Sequence, residues 1–132
     1  MLDRGRLESF TYAALRIVSG VLFAFHGAQK LFGLFAKKPG PEMFTQMWVG
    51  GVIELVAGLF IAFGLFTRPA ALLASGTMAV AYIQFHWKGA LDSAFFPLVN
   101  GGELAILYCF VFLLFCVKGA GAASIDRLLG RA

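Results

Sequence analysis

The feature that most constrains this chain is the stretch from Leu15 to Gly33, LRIVSGVLFAFHGAQKLFG. Placed on a helix at about 100° per residue, Arg16, Ser19, Gly20, Phe23, His26, Gly27 and Lys30 share one arc. Ile17, Val18, Val21, Phe25, Ala28 and Phe32 fill the opposite side. In a soluble protein the oily face would meet a core and the polar face water. The remainder of the chain has too little polar surface for that arrangement, so the reading inverts: apolar side chains face lipid and the charges face inward among other helices.

Composition supports the inversion. Of 132 residues, 60% are hydrophobic and 14% charged, against about 45–50% and about 25% in soluble domains, and the mean hydropathy is +0.83. Sixteen Gly and fifteen Phe suit close helix packing and lipid-facing surface. The net charge of +4 comes from basic residues scattered at segment ends, with no basic patch interleaved with aromatics. The partner it favours is an anionic bilayer surface and not nucleic acid. No small-x-small site closes the first apolar segment, so an uncleaved first membrane helix is expected.

Apolar runs and breakers predict an all-α membrane protein, a single domain over residues 1–132 built as a four-transmembrane-helix bundle. Its spans fall at about 10–35, 46–66, 70–86 and 103–117. The first run is long enough to cross a hydrocarbon core of about 30 Å. Lys37-Lys38-Pro39-Gly40-Pro41 forbids its continuation. On the second span Met47, Gly50, Gly51, Glu54, Ala57, Gly58 and Ile61 read as a tight helix interface around one carboxylate. Thr67-Arg68-Pro69 is too short for anything but an antiparallel hairpin, with Pro69 in the first turn of the third span. Residues 88–102 read as a loop with an apolar Phe95-Phe96-Pro97 centre that dips back towards the membrane, and His86 beside Trp87 as an interfacial residue. Ser124-Ile-Asp-Arg-Leu-Leu reads as a capped, short amphipathic segment lying on the membrane surface. Arg4, Arg6, Arg68, Lys118, Arg127 and Arg131 fall on one side of such a bundle and Lys37, Lys38 and Lys88 on the other, which places both termini in the cytoplasm.

Arg16, Lys30, Glu54 and Glu103 cannot avoid the membrane. An isolated charge at the bilayer centre costs at least about 2.5–3.5 kcal/mol, so two of each sign predict intramembrane charge pairing. Counting helical rise from each entry point puts Glu103 at the level of Lys30 and His26, making Glu103 with one of them the expected pair. Glu54 is then left to His26 or Arg16. The functional reading is a polar pocket of His26, Gln29, Lys30, Glu54 and Glu103 that binds a quinone headgroup or exchanges protons. Histidine is central to it because its charge turns over near neutral pH. The alternative is that these groups only hold the helices in register. No metal-ligand spacing links His26, His86 and the carboxylates, so no metal is expected. Cys109 and Cys116 lie about 10 Å apart along one helix and form no redox pair. A Gly-Gly-x-x-Glu-Leu run at Gly50 and a Gly-Gly-Glu-Leu run at Gly101 are a faint internal echo.

Four ordered motifs resemble the DoxX family of small bacterial membrane proteins. They are LRIVSGVLFAFHGAQKLFG, GGVIELVAGLFIAFGLFTRPAA, NGGELA and GAGAASIDRLL. The resemblance implies a four-helix bundle in the bacterial inner membrane, with Arg16, His26, Gly27, Lys30, Glu54, Asn100 and Glu103 at the family's motif positions. It also implies company: related proteins include a subunit of a thiosulfate:quinone oxidoreductase, and some act beside thiol-redox and superoxide-detoxifying partners. Three functions compete on these grounds. The first is a membrane subunit of a quinone-linked oxidoreductase or redox-stress complex, with no tightly bound cofactor, quinone as ligand and a separate soluble or membrane redox subunit. The second is a small-molecule or lipid binding or permeation protein, and the third a structural anchor for a soluble partner. A homo-oligomer fits any of them.

Overall fold

Asp3 starts the first helix, α1 (Arg4–Phe32), earlier than the apolar run does, because its carboxylate accepts the Arg6 amide at 2.8 Å and satisfies a donor that the first turn leaves free. In the computed structural model, which describes every residue except 2 and 132, α1 is followed by α2 (Gln46–Phe63) and α3 (Thr67–Ala81). α3 runs on into a π-helical turn, Tyr82–Trp87. A 3₁₀ turn (Ser93–Phe95) and the short α4 (Pro97–Asn100) interrupt what the sequence reads as plain loop. Then come α5 (Glu103–Lys118) and the single-turn α6 (Ile125–Leu128). No strand occurs among the described residues.

α1, at 29 residues about 43 Å long, and α2 are long and apolar enough to cross a membrane. Only 28% and 33% of their most apolar windows is buried inside the molecule, whereas a core helix of a soluble protein would be largely covered. α1 packs along α2, α3 along α5, and α2 meets α3. The α1–α2 contact is close because glycines line it: a Cβ on Gly20 would stand 2.5 Å from the Ala62 amide nitrogen, and one on Gly58 2.6 Å from that of Ala24. Gly27 meets the Leu55 backbone in the same way. Small residues of this kind let helix backbones approach where lipid gives no hydrophobic drive to association. Between the helix pairs lies an aromatic core in which Phe112 stacks on Phe23 at 4.7 Å and on Tyr108 at 5.3 Å. Ile61, Ala71 and Ala74 are fully buried beside it. Ala28, assigned to the lipid side by spacing, is buried as well.

Two expectations fail where α1 meets the segment after α5. Arg16 is fully buried, yet among the described residues it pairs with no carboxylate. Its guanidinium donates all five of its N–H groups to backbone carbonyls: Nε to Ala120, Nη1 to Ile61 and Ala62, Nη2 to Ala122 and Ala123, at 2.7–3.0 Å. These are the orphan carbonyls at the C-terminus of α2 and in the segment after α5, and a rigid fork of five donors suits them. The C-terminal segment is also no free amphipathic helix on a membrane surface. Asp126 is buried and its two carboxylate oxygens accept the amides of Phe66 and Thr67 at 2.9 Å each, at the N-terminus of α3, where negative charge is favoured. The Asp126 amide in turn donates to Gly64. Gly64 has φ +66, and a Cβ there would strike Ser124, so this junction requires glycine. Ser124 does cap α6 as the sequence predicts, accepting the Arg127 amide at 3.2 Å.

Burial alone would raise the pKa of Asp126, but the amides of Thr67 and Phe66, helped by Arg131, outweigh it and hold the carboxyl below its ordinary value. A carboxyl depressed on folding stabilises fully above its unfolded pKa of about 3.9, and the contribution disappears as pH falls through the folded value. Asp126→Asn is therefore expected to lower thermal stability at pH 7 and to flatten its decline below about pH 4. Melting the purified protein in detergent across that range checks both; an unchanged acid limb would show that the carboxylate does not hold the tail.

Candidate functional site

At the opposite end, α1 and α2 bring together the one intramembrane ion pair among the described residues. Lys30 Nζ lies 2.7 Å from Glu54 Oε1. α1 places Lys30 one turn beyond His26, and the glycine-lined contact around Gly27 and Gly51 draws α2 near enough for Glu54 to reach it. Glu54 is 4% exposed. Its second oxygen, Oε2, is buried with no hydrogen-bond partner among the described residues, an arrangement that costs free energy unless something donates to it.

The pair borders a cavity of about 400 Å³ whose wall includes His26, Lys30, Glu54, His86 and Tyr108, within the usual size range of ligand pockets. His26 stands at its rim, solvent-exposed, with its ring edge-on to Tyr108 at 6.2 Å. His86 faces the same space from the π-helical turn, 3.4 Å from the Asn100 carbonyl. Asn100 ties the far wall together. Its side-chain amide donates to the Tyr82 hydroxyl at 3.2 Å and to the Ala94 carbonyl at 3.0 Å, while its oxygen accepts the Gly102 amide at 2.9 Å.

His26, Lys30 and Glu54 thus share one wall, and two other expected members do not. Gln29 is exposed and its amide touches only the Phe35 carbonyl, at 3.5 Å. Glu103 is exposed, forms no ion pair among the described residues, and leaves Lys30 to Glu54. Its position has another physical reason: as the first residue of α5 its charge favours the positive end of the helix dipole. Depth arithmetic does not tell which face of α5 Glu103 takes. The buried stripe of α5 is Ala105, Tyr108, Phe112 and Phe115, and Glu103 sits about 200° around the helix from Ala105. That stripe, legible at 3–4–3 spacing, would have found Tyr108. His86 had no such signal, since the π-helical turn breaks the 3.6-residue period by which it would be placed.

Among the described residues no group of three or more His, Cys, Asp or Glu side chains could hold a metal ion. Cys109 and Cys116 are free thiols. Ser75 donates to the Cys109 carbonyl at 2.8 Å, inside the α3–α5 contact.

Long apolar helices packed through glycines around one ion pair and the cavity it borders define a small all-helical membrane protein. The DoxX family model matches residues 11–87, from the first helix through the π-helical turn, and the chain belongs to the DoxX family. It is 42% identical to an uncharacterized protein of Haemophilus influenzae over 92% of both chains. It is 31% identical to the inner membrane protein YqjF of Escherichia coli, with 96% of this chain and 97% of that one covered. At 26% identity, covering 85% of this chain and 81% of the relative, stands a Bacillus subtilis protein named "Putative oxidoreductase CatD". No solved structure matches the chain.

Proposed function

We propose that this chain crosses the bacterial inner membrane four times with both termini in the cytoplasm, and that its cavity holds a quinone headgroup on behalf of a partner oxidoreductase. The observation that carries the ligand reading is the buried, unpartnered Oε2 of Glu54 beside a cavity lined by Glu54, Lys30 and His26, an acceptor that the hydroxyl of the reduced, diphenol form of a quinone can satisfy. Intramembrane ionisable groups left short of partners mark ligand or proton sites. α3 with its π-helical turn (Thr67–Trp87) and α5 (Glu103–Lys118) supply the third and fourth crossings. The contact of Arg16 with the C-terminal segment supports termini at one end, as an even number of crossings requires, and the basic residues gathered there favour the cytoplasm. The relatives' names support the inner membrane and, through one distant relative, redox work. With free and separate cysteines, the electron chemistry falls to a partner.

A soluble quinone analogue in its reduced form, kept without oxygen, is expected to bind saturably to the detergent-purified protein, read by tryptophan fluorescence. His26→Ala, which takes the imidazole out of the cavity wall, should weaken that binding. A native protein that binds no such analogue overturns this reading in favour of a lipid-binding or anchoring role.

A further inference from the structure

Beside this cavity lies a second, larger one of about 730 Å³, also mostly apolar, in the cleft between α2 and α3. The two share Lys30, Met47, Glu54, Ala81 and Phe85 as common wall, so the ion pair stands where they meet. The outer lip of the cleft is made of Val49, Leu72, Leu73 and Val80, all 44% exposed or more. In a membrane that lip opens sideways onto acyl chains. Gly50 and Gly76 line the cleft, and a Cβ at either would meet nothing within 4 Å. That sets them apart from Gly20, Gly27 and Gly58, which the α1–α2 contact needs. Gly50 therefore does not belong to the tight interface that its place in the second-span stripe predicts, and its small size leaves a space open. Helix stability is no reason for these glycines either, since each costs roughly 1 kcal/mol against alanine in a helix interior.

We infer that the cleft between α2 and α3 is a lateral portal for a long-chain amphiphile whose tail lies past Gly50 and Gly76 and whose headgroup donates a hydroxyl hydrogen bond to Glu54 Oε2. The inference rests on the ligand-binding reading of the cavity and adds the route and the chemical class. Glu54 Oε1 forms its ion pair with Lys30 Nζ at 2.7 Å, and a carboxylate only accepts hydrogen bonds. A headgroup carrying acceptors alone would leave Oε2 as it stands. A hydroxylated one, a diphenol for example, completes it while Lys30 and His26 remain within the same wall to meet its other side. The tail needs no aqueous route, because the apolar cleft joins the site to the bilayer directly.

The test uses the full chain in dodecyl maltoside, without oxygen, and three probes: decylhydroquinone, its dimethyl ether, and methylhydroquinone, which has the headgroup without the tail. Decylhydroquinone should bind about tenfold or more tightly than the ether, the worth of a hydrogen bond to a charged acceptor. Gly76→Leu and Gly50→Leu should each weaken decylhydroquinone about tenfold or more and leave methylhydroquinone unchanged, with melting temperatures at or above that of the native protein. Gly76→Ala, which cannot threaten the fold, should fall between. Leucine variants that bind decylhydroquinone as the native chain does, or that lose both diphenols alike, overturn the portal while the cavity reading stands. An ether that binds as well as the diphenol overturns the donated hydroxyl and makes the cleft a lipid crevice. If none of the three probes binds the native protein, the cavity reading itself fails and takes the portal with it.

Discussion

Replacing Arg16 with methionine is expected to cost more than about 4 kcal/mol, a large part of the margin of an ordinary domain. The guanidinium is fully buried and satisfies five carbonyls drawn from α2 and from residues 120–123. Methionine fills similar volume, so the loss is not a cavity; it is four acceptors left without donors, Ile61 alone keeping the Gly64 amide, in a place water reaches poorly. Arg16→Lys should rescue little, because one ammonium has three donors on a point and cannot span two carbonyl clusters. Deleting residues 119–132 removes three of the five acceptors. The deletion and Arg16→Met together should therefore cost much less than their sum, because both break the same junction. Thermal melts in detergent, with size-exclusion profiles for monodispersity, read the effect. A native-like melting temperature for Arg16→Met would refute the assignment of Arg16 as the staple of the C-terminal segment.

Arg16 also shows what one sequence can and cannot disclose. Its depth in an apolar run and its inward face were legible from spacing, because a 3.6-residue period decides which side a residue takes. Its partner was not. A charge in a membrane calls for a counter-charge by simple accounting, but a guanidinium can be satisfied by backbone carbonyls freed at helix ends, and where chain ends meet is a tertiary fact. The same limit explains Glu103, whose level came from helical rise while its face depended on the register of α5. α2 and α5 were legible to within a few residues at each end. α3 began before its proline, since Phe66 takes a left-handed turn at φ +47 stabilised by Asp126 from far along the chain. The π-helical turn that carries His86 left no mark in the pattern at all. His26, Lys30 and Glu54 were found because charge and histidine are rare in such segments. Tyr108 was passed over because an aromatic on an apolar helix looks like core, which it also is: it stacks on Phe23 at 5.4 Å.

The Lys30–Glu54 pair sets the second large expectation. Lys30→Met leaves the Glu54 carboxylate buried with neither oxygen satisfied, and breaking a buried pair from one side costs roughly 3–5 kcal/mol. The lower end applies here, since the Lys30 side chain keeps 33% of its surface exposed while that of Glu54 keeps 5%. Glu54→Gln should cost less, because the amide is neutral and its oxygen still accepts from Lys30. The decisive variant is the double one. Lys30→Met with Glu54→Leu removes both charges and puts apolar volume in their place, which at buried pairs is often neutral or stabilising, so most of the stability lost in Lys30→Met should return. The same double variant should bind no reduced quinone analogue, because the acceptor that orients the headgroup's hydroxyl is gone. A pair that only locks helices in register would restore folding and lose nothing else. Recovered stability with abolished binding separates a site from a strut, and a strictly additive double variant would show that the two charges do not meet in the membrane.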